Sequence, residues 1–145
     1  MSLRGTVDPT VYRGLRDVLK RRPAVVSVRY RPDRISKRFL RAEIAPSRLS
    51  VPTGDDPPRL DVEWRFAGTE PYYRIHYADP GVGFHCGWHR DDDHPELGPV
   101  HFQYAFDDGD RGYESASFDD RLPSEILWTA TDRLFDRRLP ALLGD

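Results

Sequence analysis

The chain has 145 residues, of which 38% are hydrophobic and 32% are charged, and its formal net charge is −2. This length predicts one domain over residues 1–145, with enough apolar residues for a buried core. No apolar run reaches the roughly 20 residues that a membrane helix needs, and the start lacks a signal-peptide pattern. We therefore expect a cytoplasmic protein with no membrane partner. The single cysteine, Cys86, excludes an internal disulfide bond.

Positive charge is concentrated in the first third of the sequence. Residues 1–48 contain 13 basic and 4 acidic residues, a net charge of +9, and the remaining residues carry −11. Such a basic segment can bind nucleic-acid phosphates or an acidic partner, or the two parts can neutralise each other across the fold. The candidate binding residues in this segment are Arg13, Arg16, Arg21 and Arg22.

The first predicted elements are a helix and two strands. Asp8 and Pro9 form a helix start, because aspartate caps free N–H groups and proline has its φ already fixed. One apolar face then follows at helical spacing, and Pro23 ends the helix. Residues 24–30 and 38–45 predict strands, and the first of these could pair across a homodimer as an edge strand. Residues 45–59 form a Pro-rich loop.

From residue 60 the sequence alternates between apolar and polar residues. The pattern predicts four strands at 60–66, 72–77, 82–88 and 100–106, followed by a polar loop at 107–120. A last helix begins at Pro123 and ends before Pro140. Each of the four strands is polar on one side, so helices can cover only one sheet face. We predict an α+β fold with an antiparallel sheet of about six strands and both terminal helices on one face.

The alternation also predicts where the histidines lie. A hairpin around residues 80 and 81 would place His76 opposite His85 and Tyr72 opposite His89, and the next hairpin would place His101 opposite His89. Gly83 and Gly87 would leave room there for a ligand or a backbone. The expected polar face carries His76, His85, His89 and His101 beside Arg74, Tyr72 and Gln103, with His94 in the adjoining loop.

These residue types suit metal-independent cleavage of RNA. One imidazole can take the proton of a 2′-hydroxyl, a second can protonate the leaving oxygen, and an arginine can stabilise the charged phosphorane. One alternative is a hydrogen-bonded polar face that binds no ligand. Another is a weak divalent-metal site, in which His76 and His85, or His89 and His101, join an oxygen from residues 91–93 such as Asp91. No cofactor is predicted.

Residues 72–104, "YYRIHYADPGVGFHCGWHRDDDHPELGPVHFQY", resemble the TumE-like family of toxin–antitoxin pairs. In that family two short strands lead into a segment with an H-P-E-L core, followed by a histidine-rich segment and a C-terminal helix. His94, Pro95, Glu96 and Leu97 match the H-P-E-L core, and His101 matches one later histidine. The later cluster is otherwise absent, and the family's Asp-Asn pair is not in register.

The resemblance implies a toxin-like role, a cognate antitoxin as partner and RNA as a target. It also adds His94 and Glu96 to the candidate binding residues. Two hypotheses follow from the sequence: a toxin that acts on RNA through its histidine- and arginine-lined sheet face, and a non-catalytic module that binds protein or nucleic acid. The clustered histidines favour the first, whereas the basic N-terminal third favours the second.

Overall fold

A computed structural model describes residues 3–144, which form one antiparallel sheet covered by helices. The seven strands lie side by side in chain order, so each strand pairs with the next along the sequence. The α+β prediction is confirmed, with seven strands rather than about six. The elements are α1 (Pro9–Arg21), β1 (Val25–Arg31), β2 (Phe39–Ile44), β3 (Arg59–Ala67), β4 (Glu70–Asp79), β5 (Phe84–Arg90), β6 (Val100–Phe106), β7 (Arg111–Ala116), α2 (Pro123–Arg133), a π-helical turn (Leu134–Arg138) and α3 (Leu139–Leu143).

The helix α1 begins and ends where its sequence predicts. The Asp8 carboxylate accepts hydrogen bonds from the backbone N–H groups of Thr10 and Val11, and the helix ends two residues before Pro23. Its buried residues join those of α2 and of one sheet face in a single apolar core. Both terminal helices therefore cover the same face, as predicted, and the opposite face carries the polar residues.

A tyrosine hydroxyl from α1 separates two strands at one end of the sheet. Tyr12 is fully buried, and its hydroxyl donates to the carbonyl oxygen of Arg38 at 2.6 Å. The same hydroxyl accepts from the backbone N–H of Trp64 at 3.1 Å. The β2–β3 ladder ends at the pair of Leu40 and Val62, so the hydroxyl replaces the direct strand-to-strand bond that would come next.

The predicted hairpin register between β4 and β5 is wrong by two residues. Asp79 pairs with Phe84, which places His76 opposite Gly87 and Arg74 opposite His89. The turn is a 3₁₀ turn over residues 80–82 that Gly83 closes with a φ of 63°, so its centre lies later than predicted. The shift of two residues preserves the sheet faces. The β5–β6 register is as predicted, with His89 opposite His101.

Two further predictions at the C-terminal end are wrong. Residues 111–116 lie inside the predicted polar loop but form β7, an edge strand that is exposed at most positions. The last helix also continues beyond Pro140. A π-helical turn, with the Leu139 N–H bonded to the Leu134 carbonyl, interrupts the regular ladder there. Pro140 then lies in the first turn of α3, where its missing N–H is not needed.

The Pro-rich loop at 45–59 is attached to the sheet by a buried carboxylate. Asp79 is fully buried at the end of β4 and accepts hydrogen bonds from the backbone N–H groups of Gly54 and Gly81. The two glycine backbones are so close that a Cβ on either would overlap the other. No helix within residues 3–144 combines the length and apolar character that crossing a membrane requires.

Candidate functional site

The polar sheet face carries the predicted site residues in two neighbouring rows across the strands. One row crosses β3 to β6 and contains Asp61, His76, Gly87 and Gln103 as successive partners. The adjacent row contains Glu63, Arg74, His89 and His101. Because the sheet pairs its strands in chain order, the residues of β3 to β7 that face away from the helices form a continuous polar surface.

Three histidines form a hydrogen-bonded chain on this face, defined here as the histidine chain: His85, His76 and His89. His76 Nδ1 lies 3.0 Å from His89 Nε2, and His76 Nε2 lies 3.0 Å from His85 Nδ1. His85 is exposed, whereas His89 is only 9% exposed. The chain therefore runs from solvent into the covered part of the face.

Gly87 gives the His76 ring its place between the other two. His85 and His89 lie on the same side of β5, with Gly87 midway between them and directly opposite His76. A Cβ at position 87 would overlap the Ile75 carbonyl oxygen and lie 3.0 Å from His76 Nδ1. Gly87 was expected to leave room for a ligand or a backbone, and the space is occupied by the β4 backbone at Ile75 and by the His76 ring.

Burial keeps the middle of the histidine chain neutral. Desolvation, together with the smaller effects of the neighbouring His89, His85, Arg74 and Arg59, lowers the pKa of His76 to about 3. Burial also lowers the pKa of His89, although the nearby Asp91 opposes this effect. At neutral pH both inner imidazoles are therefore uncharged, and each carries a single N–H.

Asp91 and Arg74 lie at the covered end of the chain. The Asp91 Oδ2 atom is 3.6 Å from His89 Nδ1 and 4.0 Å from an Arg74 guanidinium nitrogen, and it has no hydrogen-bond partner within residues 3–144. Burial raises the pKa of Asp91, but its interactions with His89 and the Asp93 N–H outweigh burial and hold the pKa at about 2. The buried end of the chain thus faces an ionised carboxylate.

His101 and His94 form a second cluster next to the chain. His101 is 1% exposed and donates through Nε2 to Gln103 Oε1 at 2.9 Å. Its ring centre lies 5.3 Å from that of His89 and 4.8 Å from that of His94, which covers it together with Tyr113. His94 Nδ1 is 3.2 Å from Glu96. His101 is therefore shielded from any substrate, whereas His94 lies at the surface.

His76 lines two openings over the polar face. The larger has a volume of about 500 Å³ and extends from Phe39 to Tyr113, past Arg74, His89 and His94. The smaller has a volume of about 370 Å³ and is lined by Arg59, His85 and Asp107, among others. In the smaller opening the short side chain of Ala78, which pairs with both Arg59 and His85, leaves space between the two longer side chains.

The histidines are not arranged to share one metal ion. His76 contacts its neighbours through opposite ring nitrogens, so the three rings extend in a line instead of converging on one point. Over residues 3–144 no group of three or more His, Cys, Asp or Glu side chains has an arrangement that could hold a metal.

Some predicted site residues lie away from the histidine chain. Tyr72 contacts Arg4 near the loop of Asp92, outside both openings. Arg13, Arg16 and Arg21 belong to α1, which covers the opposite sheet face. Arg22 is 10% exposed, pairs with Asp132 at 2.5 Å and lies over the Trp128 ring, so it joins α1 to α2.

Two aromatic residues at the ends of the larger opening were not predicted as site residues. Tyr113 stands on β7, which was not predicted, and its ring centre lies 4.6 Å from that of His94. Phe39 begins β2 at the point where that strand separates from β3. The alternation of β2 already placed Phe39 on the polar face beside Arg41, which was the available signal for an aromatic residue at the site.

Comparison with known proteins places the chain in a family. No curated protein and no solved structure matches it. A family profile described as "Toxin TumE" matches residues 15–129, a range that includes both openings and the whole histidine chain. Because this match spans most of the sequence, the chain belongs to the TumE toxin family.

Proposed function

We propose that this member of the TumE toxin family cleaves RNA without a metal, using the polar sheet face as its active site. The observation that carries the proposal is the histidine chain, which connects an exposed imidazole at His85 to a buried ionised carboxylate at Asp91. Histidine is the side chain best suited to moving protons near neutral pH. Through such a chain, a positive charge that His85 gains when it accepts a proton can be stabilised by the Asp91 carboxylate at the other end.

His85 and Arg59 are suited to act on one phosphodiester in the smaller opening. His85 takes the proton of the 2′-hydroxyl, the 2′ oxygen attacks the adjacent phosphorus, and the bond from phosphorus to the 5′ oxygen breaks. His85 returns the same proton to the 5′ oxygen, which leaves a 2′,3′-cyclic phosphate and a 5′-hydroxyl. The Arg59 guanidinium stabilises the negative charge of the phosphorane.

His94 cannot serve the same phosphate as His85. His85 and His89 are four residues apart along one strand, a distance of about 13 Å, and His94 lies farther along, beyond His101. We assign the larger opening to substrate binding instead. Phe39 and Tyr113 can stack on unpaired bases, and Arg74 can contact the backbone.

The experiment is inducible expression in a bacterial host, combined with cleavage of a single-stranded RNA by purified protein in the presence of EDTA. Wild type should slow growth and produce 2′,3′-cyclic phosphate ends. His85→Ala should lose about 10²- to 10⁴-fold in cleavage rate. Arg34→Ala, at an exposed site in the loop between β1 and β2, is the matched control. RNA that stays intact with wild type, or equal cleavage by His85→Ala, would refute the proposal.

A non-catalytic role in nucleic-acid binding is the second candidate. The observation that favours it is the half-exposed ring of Tyr30 on β1, which lies 5.9 Å from the Arg16 guanidinium and 5.2 Å from the Lys37 ammonium. Basic and aromatic side chains grouped in this way bind single-stranded nucleic acid. RNA binding that is lost on combined replacement of Arg13, Arg16 and Arg21, without any cleavage by wild type, would support this function.

The family also supports a cognate antitoxin as partner. We propose that such an antitoxin inhibits the toxin by covering the openings of the polar face. Co-expression with a cognate antitoxin should restore growth, and the complex should protect His85 from chemical modification. Restored growth with unchanged His85 reactivity would place the inhibitory contact elsewhere.

A further inference from the structure

We infer that Asp91 fixes the direction of the N–H groups along the histidine chain, which leaves Nε2 of His85 as its free proton acceptor. Asp91 is thus a positioning residue that acts through His89 and His76 on a nitrogen at the far end of the chain. The hydrogen positions follow from contacts within the protein. Only their consequence for RNA cleavage rests on the proposed function.

The number of hydrogens limits the chain to two arrangements. A neutral imidazole carries one N–H, and its other nitrogen is an acceptor. His76 contacts a histidine nitrogen through each of its own nitrogens, so it donates to one neighbour and accepts from the other. The N–H groups therefore all point toward Asp91 or all point toward solvent.

The ionised Asp91 carboxylate selects the first arrangement. In the second, the lone pair of His89 Nδ1 would face Asp91 Oδ2 at 3.6 Å, with two acceptors opposed in a buried site. In the first, the same nitrogen presents its N–H to the carboxylate. The distance of 3.6 Å between His89 Nδ1 and Asp91 Oδ2 is longer than a normal hydrogen bond. The carboxylate therefore favours this arrangement through its short-range electrostatic attraction to the N–H dipole. The Oδ2 atom has no hydrogen-bond partner within residues 3–144 that could take over this role.

The remaining hydrogens follow in order along the chain. His89 Nε2 must accept, so His76 donates from Nδ1 and accepts at Nε2 from the Nδ1–H of His85. His85 Nε2 is then an unprotonated nitrogen on an exposed ring. All three histidines carry the proton on Nδ1, whereas neutral imidazole free in water favours the Nε2–H form. This departure makes the inference measurable.

The arrangement also provides a route for charge away from the substrate. A proton bound at His85 Nε2 lets the Nδ1 proton of His85 pass to His76, and the Nδ1 proton of His76 pass to His89. Because burial lowers the pKa of His89, the positive charge reaches this residue, beside Asp91, only transiently, and the reverse sequence restores the starting state. Other charged residues near the chain include Arg59, Arg74, Glu63, Asp93, Asp107 and Asp61, of which Asp61 is held by two hydrogen bonds to Arg41.

The test is ¹⁵N NMR of the histidine side chains in the full-length protein without RNA. Wild type should show Nδ1–H forms for His76, His85 and His89, with nitrogen–nitrogen couplings across both hydrogen bonds of His76. Nε2–H forms at His76 or His89 would overturn the inference, as would the absence of either coupling. This measurement on wild type does not depend on whether any variant folds.

Asp91→Asn tests the role of the carboxylate. Loss of its charge should convert at least part of the chain to Nε2–H forms, and Asp92→Asn, at the neighbouring exposed carboxylate that pairs with Arg4, should leave the chain unchanged. Unchanged tautomers in folded Asp91→Asn would overturn the inference. Cleavage by Asp91→Asn should fall at least about tenfold. Nδ1–H forms in a protein that cleaves no RNA would refute the proposed function alone, whereas active protein with Nε2–H forms would refute only this inference.

Discussion

Lowering the pH should destabilise the protein through His76 before any carboxylate is protonated. The imidazole has an ordinary pKa of 6.5 in the unfolded chain and a pKa of about 3 in the folded protein. The folded state therefore binds fewer protons than the unfolded state between these values, so stability is complete above pH 6.5 and is lost as the pH falls toward 3.

The size of the effect follows from the distance between the pH and the unfolded-state pKa. A pH of 5 lies about 1.5 units below the pKa of the unfolded imidazole. At 1.36 kcal/mol per unit, this difference lowers the free energy of unfolding by about 2 kcal/mol. His89, whose pKa is also lowered by burial, adds to this loss. Asp91 contributes only at lower pH, because its stabilising effect is lost between its ordinary pKa of 3.8 and its folded pKa of about 2. Histidines thus dominate between about pH 7.5 and pH 5.

Urea unfolding at a series of pH values measures this loss. The free energy of unfolding of wild type should fall by at least about 2 kcal/mol between pH 7.5 and pH 5. His76→Gln retains a polar side chain of similar reach but does not titrate, so its decrease should be smaller by about 2 kcal/mol. Parallel curves for the two proteins would refute the claim that His76 is held neutral in the folded state.

Three substitutions test other contacts. Tyr12→Phe removes the hydroxyl bridge and leaves the buried Trp64 N–H without its partner, so it should cost about 1–3 kcal/mol and lower Tm by several degrees in calorimetry. Gly87→Ala should cost about 1–3 kcal/mol and abolish the nitrogen–nitrogen coupling between His76 and its neighbours in NMR, because the added methyl group overlaps the Ile75 carbonyl oxygen and crowds the His76 ring. Asp79→Asn exchanges one acceptor oxygen for a donor, so it should lose one of two buried hydrogen bonds, cost about 1–3 kcal/mol and make the Pro-rich loop more susceptible to limited proteolysis.

Controls distinguish these effects from general damage. Tyr30→Phe removes a hydroxyl from a half-exposed ring whose centre lies 6.5 Å from that of Tyr12, so water can replace what is lost and stability should hardly change. Equal destabilisation by Tyr12→Phe and Tyr30→Phe would contradict the bridging role. Unchanged couplings in Gly87→Ala, or an unaltered loop in Asp79→Asn, would show that these contacts do not position the segments concerned.

Period-2 alternation allowed the sheet faces to be predicted, but the exact neighbours depend on the turn. Apolar residues at every second position determine which side a residue faces, and that result is unchanged when a register moves by two. The β4–β5 turn is centred later than predicted because Gly83 closes it in the left-handed region. His76 consequently lies opposite Gly87 and between two histidines, an arrangement that the predicted pairing with His85 did not contain.

The other differences have a common physical origin. Strand β7 has the sequence "RGYESA", without an alternating apolar face, because an exposed edge strand has little surface to bury. Tyr113 was therefore missed with its strand. Pro140 normally ends a helix, but a local π-helical turn lets the chain continue, and no short sequence pattern predicts that turn. Pairing with β6 determines the strand, and an irregular turn within the helix determines how far the helix continues.

The Tyr12 hydroxyl links the helix-covered face of the sheet to the opening on the polar face. It comes from the helix-covered side, yet it keeps β2 and β3 apart beside Phe39, at one end of the larger opening on the other side. Without this hydroxyl between them, the Arg38 carbonyl and the Trp64 N–H would be the next pair to bond directly in the β2–β3 ladder. The position of α1 and the spacing of β2 and β3 beside the larger opening are therefore linked through a single side chain.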